Sequence, residues 1–235
     1  MEPSDGSPIH LSPAAELAEH VLLPGDPQRA LSMAQGLLDS PRMFNTRRGL
    51  WGYTGTAPDG GAVTIQSTGM GGPSAAIVVE ELIDLGARVL IRTGTCGALR
   101  DGYELGELVT AGQVLAGDGA GRALGAGDRL QPDPGLTGAL REAGGGRTVT
   151  VISVDLFYDP RPGADERMRG AGADVVEMEA AAVLAIAGRR GARAACLLLV
   201  SDLLAGGARK RIAAAELEAA ELRLGEVALA ALRAR

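Results

Sequence analysis

The stretch that most constrains this chain is Val89 to Leu99, VLIRTGTCGAL. Val89, Leu90 and Ile91 run directly into Arg92, and a loop of small residues follows, Thr93-Gly94-Thr95-Cys96-Gly97. A short run of this kind, apolar at every position, suits a strand buried on both faces of a sheet. Gly94 and Gly97 let the backbone turn sharply and approach a ligand closely. Arg92 is the odd residue, because a buried guanidinium cannot shed its proton and is costly without a partner. Two anions satisfy it: an internal Asp or Glu, or a bound phosphate held also by loop N–H groups and the Thr95 hydroxyl. The stretch by itself leaves both open.

The 235 residues suffice for one α/β domain with a full core, and no Pro- or Ser-rich linker divides them. We therefore expect one domain over 1–235, with an N-terminal arm over 1–19 and a C-terminal helix over 213–235. The net charge of −6 and the lack of a basic run argue against nucleic acid or an anionic membrane as the main partner. No apolar run is long enough to cross a membrane. The N-terminus has neither a basic segment nor an apolar core and does not read as a secretion signal. Cys96 and Cys196 make neither a disulfide framework nor a zinc site. A cytoplasmic protein is the expectation.

Along the chain, strands alternate with helices. Residues 14–19 read as a short helical piece. Val21–Leu23 is a strand, followed by Pro24-Gly25-Asp26-Pro27 and a helix over 28–38. Arg47-Arg48-Gly49 is a turn before a strand over 50–54. Asp59-Gly60-Gly61 marks a hairpin, returning along 62–66 into a second Gly-rich strand-to-helix loop, 67–74. A helix over 74–85 follows, with Pro73 in its first turn. Further strands are expected at 108–115, 149–154 and 194–200, helices at 137–143, 180–189 and 213–232, and a long loop over 117–135, which holds six glycines. Strands with intervening helices indicate an α/β fold, and the mixture of hairpin and crossover connections indicates a mixed central sheet flanked by helices.

Several strand ends carry residues with two readings. Arg29, in the first turn of its helix, opposes the helix dipole, so it serves either an anion in the loop or the solvent. His10 reads as a solvent-exposed histidine, and Met70 as core filler or a ligand contact, the former favoured. Phe157 is core or a stacking ring. Val175-Val176-Glu177-Met178-Glu179 places two carboxylates about a methionine at a helix start; Glu179 is a cap and ion-pair partner, or an acceptor for substrate hydroxyls. Ser201-Asp202 ends a buried strand, where desolvation favours a protonated carboxyl able to act as an acid; the other use is a cap or ion pair.

Taken together, VLLPGDPQRA, RRGLWGYTGT, TGMGGPSAAIVVEEL, IRTGTCGAL, DLFYDP, VVEMEAAAV and LLVSDLL resemble, in order from about His10 to Asp202, the nucleoside phosphorylase/uridine phosphorylase superfamily. The likeness is closest to the bacterial and archaeal hexameric purine nucleoside phosphorylases. The resemblance implies phosphate-dependent cleavage of the N-glycosidic bond of purine nucleosides, with inorganic phosphate as co-substrate and no metal or organic cofactor. It implies that Gly25, Arg29, Arg92 and Thr95 hold the phosphate, with Arg48 supplied by a neighbouring subunit. Ribose would lie against Met70 and Met178, with Glu179 accepting from its hydroxyls and His10 of the neighbour at the 5′ end. The base would stack on Phe157 near Cys96, Gly97, Val176 and Glu177. Asp202, helped by Ser201, would protonate purine N7.

The resemblance also exposes a departure. The relatives carry an arginine on the last helix that assists the acid, whereas no arginine lies between Arg211 and Arg223 here; Arg209 and Arg211 are the nearest substitutes. Within the superfamily the rivals are a uridine phosphorylase, whose Gln and Arg after the FY pair have no matching Gln here, and a methylthioadenosine phosphorylase, which differs mainly at the 5′ pocket. A nucleosidase, using water, would have no need of Arg29, Arg48 and Arg92 together. A binding protein on the same fold would not need Asp202 and Glu179.

Overall fold

The computed structural model describes residues 8–205 and 209–233, and its strands join one mixed sheet. The strands are β1 (His20–Pro24), β2 (Asp39–Asn45), β3 (Gly52–Thr56), β4 (Ala62–Gln66), β5 (Val89–Ala98), β6 (Leu108–Ala116), β7 (Arg129–Leu130), β8 (Arg147–Ser153), β9 (Val175–Glu177), β10 (Arg193–Leu203) and β11 (Lys210–Arg211). The helices are α1 (Pro27–Leu37), α2 (Gly72–Asp84), α3 (Gly119–Ala123), α4 (Pro134–Glu142), α5 (Ala164–Gly170), α6 (Ala180–Arg190) and α7 (Ala214–Arg233). The order β11-β10-β6-β8-β9-β5-β1-β4-β3-β2 is completed by a β10–β5 pairing, so β5, β10, β6, β8 and β9 close into a ring. The opening stretch, β5, is the centre: it pairs parallel with β1 and β10 and antiparallel with β9.

Side-chain alternation along β5 divides the core. Leu90, Cys96 and Ala98 pack with α2 and α6, while Val89 and Ile91 pack on the other face with α1, α4 and α7. Helices on both faces explain why β5 and β10 read as continuous apolar runs. The α1–α7 contact is close because Gly36 faces Leu222 and Gly225 faces Leu37 and Met33; a Cβ at either glycine would meet a side chain within 2.7 Å.

Four expectations need correction. Residues 93–97 are not a loop but the second half of β5, because β10 supplies a ladder partner as far as Leu203, opposite Ala98. Residues 14–19 form no helix; Ala14 donates to the Phe44 carbonyl and Ala18 to the Thr64 hydroxyl, so tertiary partners take the backbone donors that a helical turn would use. Residues 117–135 hold α3, β7 and the start of α4; Asp118 caps α3 at the Gly121 N–H and Asp133 caps α4 at the Leu136 N–H. The strand expected over 50–54 starts at Gly52, since the 3₁₀ turn Arg47–Gly49 runs into Leu50. β2, α5 and β11 are additions to the sequence reading. Residues 1–7 of the expected arm and 234–235 of the expected last helix lie outside the described residues.

Candidate active site

A cavity of about 1210 Å³ opens where the C-terminal ends of β1, β5 and β10 meet the loops after β4, β8 and β9. Gly25, Arg29, Arg48, Met70, Arg92, Thr95, Cys96, Gly97, Phe157, Val176, Glu177, Met178, Glu179, Ser201 and Asp202 all line it. Strand ends collect these residues because parallel strands direct their C-terminal loops to one edge of the sheet. His10 is not among the lining residues.

Arg92 is buried in β5 at 3% exposure. Its Nε donates to Glu177 Oε2 at 2.8 Å, and its Nη2 pairs with Glu179, while Nη1 is buried with no partner. The internal-carboxylate answer to Arg92 is thus present, and one donor remains over. The paired charges hold the guanidinium firmly protonated, outweighing its burial. Gly94 makes room for it, since a Cβ there would lie 2.6 Å from Nη2.

Glu177 is fully engaged. It accepts from Ser153 Oγ, from the backbone N–H groups of Glu179 and Ala180, and from Arg92. The cap expected of Glu179 is therefore supplied by Glu177, at the positive end of α6. Glu179 accepts from the Gly71 N–H and pairs with Arg92. Burial and the neighbouring Glu177 raise its carboxyl above the ordinary value against the pull of Arg92.

Arg29 reaches the same edge from the opposite face of the sheet. Asp26 caps α1 at the Gln28 N–H and Pro27 occupies its first turn, which sets Arg29 facing inward. Arg29 is 7% exposed, so it is no surface arginine. Its Nη2 lies 2.7 Å from Glu221 of α7, its Nη1 is 3.5 Å from the Thr93 carbonyl, and its Nε is buried without a partner. Arg48 stands at the rim in a left-handed conformation, φ 59° and ψ 17°, a strained state for a residue with a side chain.

At the other end, Asp202 is buried at 3%. Ser201 Oγ is 2.7 Å from Asp202 Oδ2, and Arg209 Nε lies 3.0 Å from Oδ1, with Arg211 farther at 3.9 Å. A register shift between Val200 and Asp202 marks a bulge that re-aims the strand end, placing Asp202 beside Gly97. The Arg209 guanidinium also lies 4.2 Å from the Phe157 ring centroid. Burial is thus joined by an ion pair at Asp202, the second of the two uses expected from sequence. Along β5 the backbones of Arg92 and Gly97 are five residues apart, about 16 Å at the usual strand rise.

The remaining residues depart from expectation in instructive ways. Met70 is 88% exposed at the rim and fills no core. Phe157 is 45% exposed in the cavity wall, edge-on to Tyr158. His10 is half-buried rather than solvent-exposed: its Nδ1 is 2.7 Å from Glu81, whose carboxylate also accepts the backbone N–H groups of Ile9, His10 and Leu11. Burial pushes the Cys96 thiol well up, so it stays protonated and is no nucleophile. Glu221, Ser153 and the α5 residue Met168 at the wall escaped sequence reasoning; for Glu221 the one signal is its place four residues before Gly225 on α7. Among the described residues no three His, Cys, Asp or Glu side chains converge as a metal site, and no helix is long and apolar enough to cross a membrane.

The arrangement joins partly unsatisfied buried cations to a buried carboxyl across one cavity, which suits an anionic reactant at one end and proton transfer at the other. Comparison with known proteins agrees in kind. The family model described as "Phosphorylase superfamily" matches residues 19–234. The chain is 38% identical over 205 residues to the "Purine nucleoside phosphorylase DeoD-type" of Jannaschia sp. (strain CCS1), covering 83% of this chain and 87% of the relative. It is 35% identical to the proteins of that name from Alkaliphilus metalliredigens (strain QYMF), over 85% and 89% of the two chains, and Geobacillus kaustophilus (strain HTA426), over 85% and 87%. A match over nearly the whole chain by both measures establishes the membership that the strand-end motifs suggested: the chain belongs to the phosphorylase superfamily.

Proposed function

We propose that this chain is a purine nucleoside phosphorylase, an enzyme that transfers the pentosyl group of a purine nucleoside to inorganic phosphate. The observation that carries the reading is one cavity whose wall holds both Arg29 and Arg92, each with a buried nitrogen that lacks a partner, and the Ser201-Asp202 pair. Buried donors without partners are costly unless a ligand completes them, and a phosphate dianion offers several acceptors to guanidinium groups. In this reading Gly25, Arg29, Arg92 and Thr95 bind phosphate, with Arg48 supplied by a neighbouring subunit. The sugar lies against Met70 and Met178 with its hydroxyls toward Glu179. The base stacks on Phe157 near Cys96, Gly97, Val176 and Glu177.

The step balances as follows. A phosphate oxygen forms a bond to C1′ while the C1′–N9 bond breaks, and its electron pair passes to the purine. Asp202 delivers a proton to N7, which makes the base a neutral leaving group; the products are free purine and pentose 1-phosphate. General acid assistance of this kind is typically worth about 10²–10⁴-fold, and holding phosphate in place contributes through proximity. The reaction as written needs phosphate as co-substrate and no cofactor. Self-association belongs to the same reading. His10 stands outside its own cavity and serves a neighbour's 5′ end, and Arg48 completes a neighbour's phosphate site; the setting is the cytoplasm.

The test is release of free base from inosine, adenosine, methylthioadenosine and uridine, each with and without phosphate. Phosphate-dependent cleavage of the purine nucleosides, lost in Asp202→Ala, is expected. Cleavage that proceeds equally without phosphate would make the enzyme a nucleosidase, and a preference for uridine would overturn the purine assignment. A ranking led by methylthioadenosine would move the substrate to the 5′-thioether nucleosides.

A further inference from the structure

Glu221 lies outside the cavity wall, yet it meets the cavity's Arg29. Arg29 lines the cavity and Glu221 does not, so the carboxylate grips Nη2, at 2.7 Å, from outside the cavity. Both side chains are largely buried, at 8% and 14% exposure. The pair caps a face where α1 and α7 are locked by close packing at Gly36–Leu222 and Gly225–Leu37. Arg29 has no other carboxylate partner among the described residues. Its remaining contact, Nη1 to the Thr93 carbonyl, is long at 3.5 Å, and Nε has none. An arginine in the first turn of a helix is repelled by the N-terminal dipole, so without Glu221 only the long Thr93 contact holds its guanidinium in place.

We propose that Glu221 is a positioning residue for anion binding: by holding Nη2 it fixes the Arg29 guanidinium at the cavity wall, in the orientation that receives phosphate. The inference rests on the phosphate reading of this site. It assigns the last helix a share in phosphate affinity, although that helix contributes no residue to the cavity wall. The carboxylate also lowers the cost of a buried cation while phosphate is away.

Thermal shift with inorganic phosphate, followed by steady-state kinetics with phosphate varied at saturating inosine, tests this on the full-length protein. The variants are Glu221→Ala, Glu221→Gln, Arg29→Ala and the double substitution. Losing a charge-assisted contact that orders the guanidinium weakens phosphate binding in Glu221→Ala by roughly 10-fold or more. The inosine KM stays within about 2-fold, and Glu221→Gln, which keeps the acceptor oxygen, recovers most of the loss. The double variant binds phosphate no worse than Arg29→Ala, because Glu221 acts only through Arg29. Unchanged or tighter phosphate binding in Glu221→Ala overturns the proposal. So does a double variant whose losses add, or a fall in melting temperature with equal changes in both KM values, which would mark a purely structural pair. The functional reading is judged separately: wild-type protein stabilised by phosphate but inactive on every nucleoside refutes that reading and leaves the Glu221 comparison intact in the binding data. Wild-type protein that phosphate does not stabilise refutes both.

Discussion

At the Arg92 end of the cavity, the carboxylates that pair with Arg92 and Arg29 stand on β9, at the start of α6 and on α7, and the two guanidinium groups are held from within, each with one nitrogen left over. At the Asp202 end the carboxylate is equally buried, but its surroundings are looser: Phe157 is 45% exposed, and the Arg209 side chain that touches Asp202 is 38% exposed. The first end is built from β5, α1 and α6, the second from a strand terminus and the segments after β8 and β10. The contrast follows from what each end must hold. A small dianion of constant shape is best met by preorganised charge, which costs little reorganisation on binding. A flat base must enter, stack and leave, and a wall of loops allows that.

The contrast can be broken most severely at Arg92. Arg92→Met strands Glu177 and Glu179 without their counter-ion, and removing one member of a buried ion pair costs about 3–5 kcal/mol; denaturant unfolding reads this directly. If stability is retained within about 1 kcal/mol, the typical cost of an ordinary substitution, the Arg92 end is less tightly built than its geometry indicates.

Asp202→Asn addresses the other end with little effect on folding. Turnover of inosine is expected to fall by about 10²–10⁴-fold, whereas a nucleoside already alkylated at N7 needs no proton there and is expected to lose far less. Equal losses on both substrates would remove Asp202 from the proton transfer and leave it a structural partner of Ser201.

A matched pair of glycine substitutions sharpens the comparison. A Cβ at Gly94 would meet the Arg92 guanidinium at 2.6 Å, hemmed in by Glu177 and Glu179, whereas a Cβ at Gly97 would meet the end of the Leu204 side chain at 2.8 Å. Gly94→Ala is expected to cost about 1–3 kcal/mol by overpacking, with a raised phosphate KM, and Gly97→Ala less. A larger cost at Gly97 would reverse the assignment of rigid and yielding ends. The smallest effect belongs to Phe157→Ala. Aromatic stacking contributes about 0.5–1.5 kcal/mol, so the nucleoside KM should rise roughly 2- to 12-fold at 1.36 kcal/mol per decade, with the phosphate KM unmoved. A change in phosphate KM of similar size would show the two ends to be coupled.

The rigid end was also the more legible. Arg92 in an apolar run and Arg29 against a helix dipole are anomalies that single residues announce, because buried charge has few tolerable environments. The motifs at strand ends carried the family, and with it the expectation of one site. Less legible were features decided by partners distant in sequence. The β10 ladder turned the Thr93–Gly97 segment from a loop into strand, and Asp118 drew a helix from a glycine-rich segment that has almost no periodicity. Met70, an apolar residue near a helix start, reads as core until the fold leaves it at the cavity rim.

The amino-acid sequence alone determined the α/β alternation, the central buried strand and the anomalous charges at strand ends, since periodicity, glycine placement and buried charge act over a few neighbouring positions; that these ends share one site was implied by the family motifs. Tertiary structure alone decided how the charges pair. Arg92 chose Glu177 and Glu179, and Arg29 chose Glu221. An ion pair between residues 85 or more positions apart depends on where the sheet brings two backbones together, and no local pattern carries that information.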